Sequence, residues 1–140
     1  MKLTTLLKLI RFWPPMLGAG IKVNHFTEDL KVIEVKMKLR FWNQNYVGTQ
    51  FGGSLYSMTD PFYMLMLMHL LGREFIVWDK SATIRYKRPA KGAVYARFEV
   101  TQEIIDLIHE DLKHADKVEP KFLIQIKDEK GDVVTEIQKT

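Results

Sequence analysis

The chain has 140 residues, 46% of them hydrophobic, and a formal net charge of +4. That length suits one domain with enough apolar material for its own core, and eight Phe, five Tyr and three Trp against only 27% charged residues exclude a disordered chain. With no cysteine, a disulfide scaffold, a thiolate metal site and a cysteine nucleophile are all excluded, and a reducing cytoplasm is the expected location.

In chain order, Leu3, Leu6, Leu7, Ile10 and Trp13 follow helical spacing with Thr4, Lys8 and Arg11 opposite, which predicts an amphipathic helix stopped by Pro14-Pro15. The two cations inside the apolar stretch, and prolines where a small-residue cleavage site is wanted, argue against a signal peptide. Residues 1–15 therefore read as a helical extension that docks on the rest of the protein or a second subunit, with peripheral contact to a membrane as the weaker alternative. A short strand is expected over Ile21–Phe26, followed by the turn-like Thr27-Glu28-Asp29. Residues 31–41 alternate, with Ile33, Val35, Met37, Leu39 and Phe41 against Glu34, Lys36, Lys38 and Arg40, as a half-buried strand does.

Asn43 to Gly53 is polar and glycine-bearing, hence a loop. Ser54 to Leu71 is apolar on nearly every side and stops at Gly72, which predicts one long enclosed helix. Its most apolar part, Phe62–Leu71, contains His69 and is too short to cross a bilayer; His69 itself is expected as a hydrogen-bonded core residue. Four further strands are expected over 76–88, 93–101, 121–127 and 133–138, the last two joined by the turn Asp128-Glu129-Lys130-Gly131. Ile104, Ile105, Ile108, Leu112 and Ala115 mark a short surface helix between the second and third of them. One-sided alternation argues for an antiparallel sheet, and the helix over 54–71 is the one segment large enough to cover its apolar face. The expectation is an α+β fold in one domain over 1–140: about six strands curled around one long central helix. The far side of that helix stays apolar, which predicts a dimer completing the enclosure.

Several chemistries find no motif. Ser54 follows Gly52-Gly53, but Tyr56 stands where a nucleophile elbow needs glycine, and neither Walker-type nor dinucleotide-binding glycine patterns occur. The four histidines are scattered without zinc spacing, so no metal is expected. Lys80, Arg85, Lys87, Arg88, Lys91 and Arg97 form a basic stretch with no acid inside it. It suits either an anionic partner or a solvated strand face and turn. Nucleic acid is not expected, since no recognition helix accompanies it. In the glycine-bearing loop, Gly52-Gly53 feed a helix N-terminus whose free N–H groups can polarise a carbonyl, or simply make a tight turn. Asp60 lies in a very apolar run, where a carboxylate is costly unless used or paired. With Pro61 behind it, Asp60 reads equally well as an N-cap.

The pattern Asn45-x-x-Gly48-x-x-Phe51-Gly52-Gly53, with Asp60 seven residues beyond, resembles the N-x-x-G-x-x-H-G-G…D signature of hotdog-fold acyl-CoA thioesterases of the phenylacetic-acid-degradation type. Ala82 to Gly92 resembles that family's strand-to-turn segment. As a whole the chain is similar to a domain-of-unknown-function branch in which an aromatic often replaces the histidine. The resemblance implies a hotdog fold and hydrolysis of an acyl-CoA or acyl-carrier-protein thioester at the interface of a homodimer or dimer of dimers. It implies Asp60 as nucleophile or general base, N–H groups near Gly53 as oxyanion donors, and Asn45 holding the water or carbonyl. Gly48, Phe51, Gly52, Ser54 and Ser57 would line the substrate, and Arg85, Lys87, Arg88 and Lys91 would meet the phosphates of coenzyme A, which enters as part of the substrate with no separate cofactor. The departure is Phe51 in place of histidine, which removes a hydrogen-bond donor and leaves a non-catalytic acyl-binding or scaffold protein as the alternative. Met64, Met66 and Met68 suit core filling more readily than an acyl tunnel.

Overall fold

The computed structural model describes residues 1–140. Six strands, β1 (Ile21–Phe26), β2 (Val32–Met37), β3 (Ala82–Tyr86), β4 (Val94–Glu99), β5 (Phe122–Asp128) and β6 (Val133–Lys139), form one antiparallel sheet in the order β1-β2-β4-β5-β6-β3. Five α-helices accompany them: α1 (Leu3–Leu9), α2 (Pro14–Ala19), α3 (Gly52–Ser57), α4 (Phe62–Leu71) and α5 (Gln102–Leu112). The strands carry the period of two that the sequence predicts. On the inner face, Ile33, Val35 and Met37 of β2 lie opposite Phe98, Ala96 and Val94 of β4, and Ile124 faces Ile137 across β5 and β6; all eight are buried.

That inner face wraps α4. The Phe62 ring lies 5.1 Å from Phe98, and Tyr63 stacks on Phe122 at 4.1 Å while meeting Phe98 edge-on. These rings fix the helix against β4 and β5 by area and by geometry together. The uncovered side is also as expected in kind: Met68 is 47% exposed. His69, however, is exposed rather than in the core: it shares the face of Phe62 and Met66 but falls in the last turn of α4.

The strand expected over 31–41 ends at Met37, where the chain turns at 41–43 and leaves Phe41 83% exposed instead of on the buried face. Three further boundaries differ from expectation, each for a local reason. The central helical run starts at Gly52 and is broken, with turn residues at 58–61 between α3 and α4. Pro61 has no N–H to give to Ser57, and the chain instead closes tight turns, Thr59 N–H to Tyr56 O and Asp60 N–H to Ser57 O. Pro14-Pro15 end the first helix but also open α2, since proline fits the first helical positions, where the N–H is orphaned anyway; α2 then stops at Gly20 in the left-handed region, φ 78°. The third strand begins at Ala82 instead of 76, because Phe75-Ile76-Val77-Trp78 do not alternate and run instead along a cavity beside α4 and α5. The extension docks through Leu7, Ile10 and Met16 on the core.

Candidate active site

The loop before α3 is held by its own side chains. Asn45 Oδ1 accepts from the N–H groups of Val47 and Thr49 (3.1 and 2.9 Å), and its Nδ2 donates to Thr49 Oγ1 and the Gln50 carbonyl (2.8 and 3.4 Å). All four hydrogen-bonding positions of the amide are thereby used inside the loop. Gly48, at φ 83°, supplies the left-handed turn this closure needs. Gln50, 4% exposed, ties the loop to the segment after β3 through Gln50 N–H to Ala90 O and Nε2 to Gly92 O.

The loop delivers Phe51, Gly52 and Gly53 to the start of α3, which no side chain caps. Close packing explains the glycine pair. A Cβ on Gly53 would lie 2.8 Å from Cε2 of Phe51, whose ring folds over it, and a Cβ on Gly52 would meet the Tyr86 ring at 3.3 Å. The Tyr86 hydroxyl donates to the Gly52 carbonyl at 3.1 Å, and Ser57 Oγ donates back to the Gly53 carbonyl at 2.8 Å. Ser54 is buried beneath. Tyr86 was not among the residues the motif singles out; its place on the inward side of the strand, two residues after Ile84, is the signal that finds it.

Asp60 lies on the break between α3 and α4. It is exposed, and its carboxylate makes no hydrogen bond or ion pair within the chain. The N-cap alternative fails: Pro61 occupies the cap position of α4 and no side chain accepts from its first turn. Tyr56, one turn back, senses the carboxylate: partial burial, and then the charges of Asp60 and Asp79, push its hydroxyl above the ordinary tyrosine range.

The turn itself is held from below by a residue outside the motif. Lys139, 2% exposed at the end of β6, donates to the Thr59 carbonyl at 3.0 Å and to the Asp60 carbonyl, and pairs with Asp79 at 3.3 Å. A buried ammonium with three oxygen partners is satisfied. The expected final strand stops at 138, one residue short. Continuing its alternation past Ile137 points Lys139 inward.

Lys139 also lines a cavity of about 550 Å³ between α4, α5 and the 74–80 segment, with Tyr63, Leu67, Leu71, Trp78, Ile108 and Phe122 among its apolar walls. Neither Asp60 nor Gly53 lines it. Of the basic residues expected near a phosphate, Lys87 is paired with Glu136 at 2.8 Å and Arg88 with Asp132 and Asp128 at 2.6 and 3.2 Å. Arg85 opposes Glu136 in register on the outer face of the sheet, away from Tyr86 and α3. Arg85 and Lys91 make no ion pair.

Residues 4–140 match the domain of unknown function DUF4442. No protein with a curated description matches the sequence. In structure the chain is similar to PA5026 from Pseudomonas aeruginosa, described as a protein of unknown function and probable thioesterase (TM-score 0.85, 21% identity, 97% of this chain and 91% of that one). It is similar also to thioesterase HI1161 from Haemophilus influenzae (TM-score 0.70, 16% identity, 99% and 87%), and to the phenylacetic acid degradation protein PaaI from Thermus thermophilus (TM-score 0.62, 22% identity, 90% and 95%). The shared architecture is the hotdog fold, a curved antiparallel sheet around a central helix.

Proposed function

The chain belongs to the DUF4442 family and has the hotdog fold, and from that premise we propose that it hydrolyses acyl thioesters of coenzyme A or of an acyl carrier protein. The observation that carries the reading is Asp60: a carboxylate with no partner in the chain, standing on a helix break that Lys139 holds from behind. In this reading Asp60 takes a proton from a water that attacks the thioester carbonyl, or attacks that carbon itself to form an anhydride that water then cleaves, releasing the acid and regenerating Asp60. In either case the carbon–sulfur bond breaks, and the thiolate leaves with a proton as free thiol. Backbone N–H groups around Gly53 face the oxygen on which charge develops. Asn45, its amide fully engaged, acts by fixing the loop. Gly48, Gly52, Ser54 and Ser57 shape the approach to α3. The apolar cavity has a volume within the range of small-molecule sites and meets the Asp60 turn through Lys139, which lines it.

Coenzyme A enters as part of the substrate, and Arg85 and Lys91, which form no ion pair, are the cations left for its phosphates, with Lys87 and Arg88 needing to exchange partners first. A homodimer or dimer of dimers is supported by β3, which bonds to β6 alone and is exposed along most of its length, so its other edge is open to a second copy. One observation favours a second reading, a protein that binds acyl groups without turnover: the Phe51 ring over Gly53 offers no donor where the resembling family has histidine.

A panel of acyl-CoA substrates with free-thiol detection tests both. Turnover that falls by about 10² or more in Asp60→Asn is the expected result. Unchanged turnover in pure, folded Asp60→Asn removes the carboxylate from the chemistry, and saturable binding without thiol release establishes the second reading.

A further inference from the structure

The strongest unexplained feature lies at the other end of the sheet, where cations gather without any acid. Lys22 of β1 and Lys36 of β2 are direct cross-strand partners, an arrangement that like charges disfavour. Lys38, Arg11 and Arg40 crowd the same place: burial, and then the charges of Lys38, Arg11, Lys36 and Arg40, hold the Lys22 ammonium below the ordinary lysine range. None of these five makes an ion pair. Counter-charges are sparse here: no Asp or Glu precedes Glu28, none lies between Glu34 and Asp60, and Glu34, two residues before Lys36 on β2, is engaged by Arg97. Elsewhere on the sheet Arg97 is neutralised by Glu34 and Glu99, and Lys87 by Glu136.

Large apolar side chains stand out beside this cluster. Phe12, Trp13 and Leu17 are 61%, 54% and 55% exposed, and Phe41 and Trp42 are 83% and 54% exposed. The Arg11 guanidinium lies 5.4 Å from the Phe12 ring centre and that of Arg40 lies 5.3 Å from Trp42. The two groups form one surface, because Asn43 stitches them. Its Nδ2 donates to Ala19 O at the end of α2 and to Lys38 O (2.9 and 2.8 Å), while its Oδ1 accepts the Arg40 N–H. A side chain at Gly20 would strike that amide at 2.8 Å.

We propose that residues 9–17, Lys22 and Lys36 on the adjoining strands, and the turn at residues 38–42 form a preassembled docking surface for an anionic lipid bilayer. Tryptophan and phenylalanine beside arginine and lysine suit the headgroup level, where rings enter the boundary and cations meet lipid phosphates. A second copy is the poorer occupant, since two-fold pairing would set these five cations against five more. Single-stranded nucleic acid would satisfy the charges and stack on the rings but leaves aliphatic Leu9 and Leu17 without a partner. The inference stands apart from the thioesterase reading.

The test is co-sedimentation of the full chain with phosphatidylcholine vesicles, with and without phosphatidylglycerol. Binding should require phosphatidylglycerol, fall away at high salt, and shift tryptophan emission to the blue. The double variant Lys22→Gln/Lys36→Gln and the double variant Trp13→Ala/Trp42→Ala should each weaken it roughly ten-fold, with unchanged thermal melting as the folding control. Failure of the wild-type chain to bind at low salt overturns the proposal. So does equal binding to uncharged vesicles, preference for a single-stranded oligonucleotide over vesicles, or an emission spectrum already blue-shifted by self-association that dilution reverses.

Discussion

The Lys139 ammonium sits 3.0 Å from the carbonyl oxygen of Thr59, so the last residue of β6 holds the turn that carries Asp60. Turn carbonyls at the end of a helix have no intrahelical partner, and a cation is the natural one to supply there. Lys139→Met leaves these carbonyls buried and unpaired. The expected loss is about 2–4 kcal/mol by denaturant unfolding. Asp79→Asn leaves the buried ammonium with neutral partners only and should cost about 1–3 kcal/mol. A Lys139→Met variant as stable as the parent removes the lysine from this role.

Phe51→His restores a donor at the position where the resembling thioesterases carry one. Phe51 is 53% exposed, so the fold should tolerate the change. Steady-state thiol release should rise by about ten-fold or more. No gain, in a chain whose activity still depends on Asp60, means the donor is dispensable.

Gly53→Ala should be harmful alone and mild in a Phe51→Ala background, since the added Cβ meets the Phe51 ring at 2.8 Å. A double-mutant cycle by thermal melting should give a coupling of about 0.5–2 kcal/mol. Strict additivity would mean that the ring swings aside freely.

Much of the fold was legible because the strands obey a simple rule. Ile33, Val35 and Met37, like Val94, Ala96 and Phe98, alternate without interruption, and each lies on the face its position dictates. Helix ends were less legible where proline was involved, since the same Pro14-Pro15 that closes one helix opens the next. The motif from Asn45 to Asp60 marked out the candidate site but not which of its side chains close the loop. That Asn45 spends its amide on Val47, Thr49 and Gln50 is a matter of loop closure, which residue spacing does not encode. Lys139 and Tyr86 come from strands distant in sequence, and only the sheet order brings them to α3 and its turn.

Acid should weaken the sheet at β6. The Lys87 ammonium hydrogen-bonded to Glu136 holds that carboxyl below the usual range, and Lys80 does the same to Glu119. A carboxylate depressed in the folded state adds stability that is present above its unfolded value, about 4.3. That stability is lost as the pH falls through the folded one. The melting temperature should therefore decline below about pH 5, and Glu136→Gln should flatten that decline. An identical acid limb in the variant would contradict it.

The Thr101 hydroxyl accepts the Ile104 N–H at the start of α5. Thr101→Ala should cost about 1 kcal/mol in an unfolding titration, while Thr101→Ser and Thr101→Asp should retain most of the parent's stability.

The interruption at Met58–Pro61 also divides the central rod into two segments with unequal anchorage. α4 sinks Phe62 and Met66 completely into the sheet, whereas the six residues of α3 hang on the Tyr86 hydroxyl and a single buried leucine, Leu55. Amide protons of α4 should therefore exchange with deuterium only on global unfolding, and those of α3 through a smaller, more frequent opening. The stretch of chain next to the Asp60 carboxylate is thus able to breathe while the sheet around α4 stays shut.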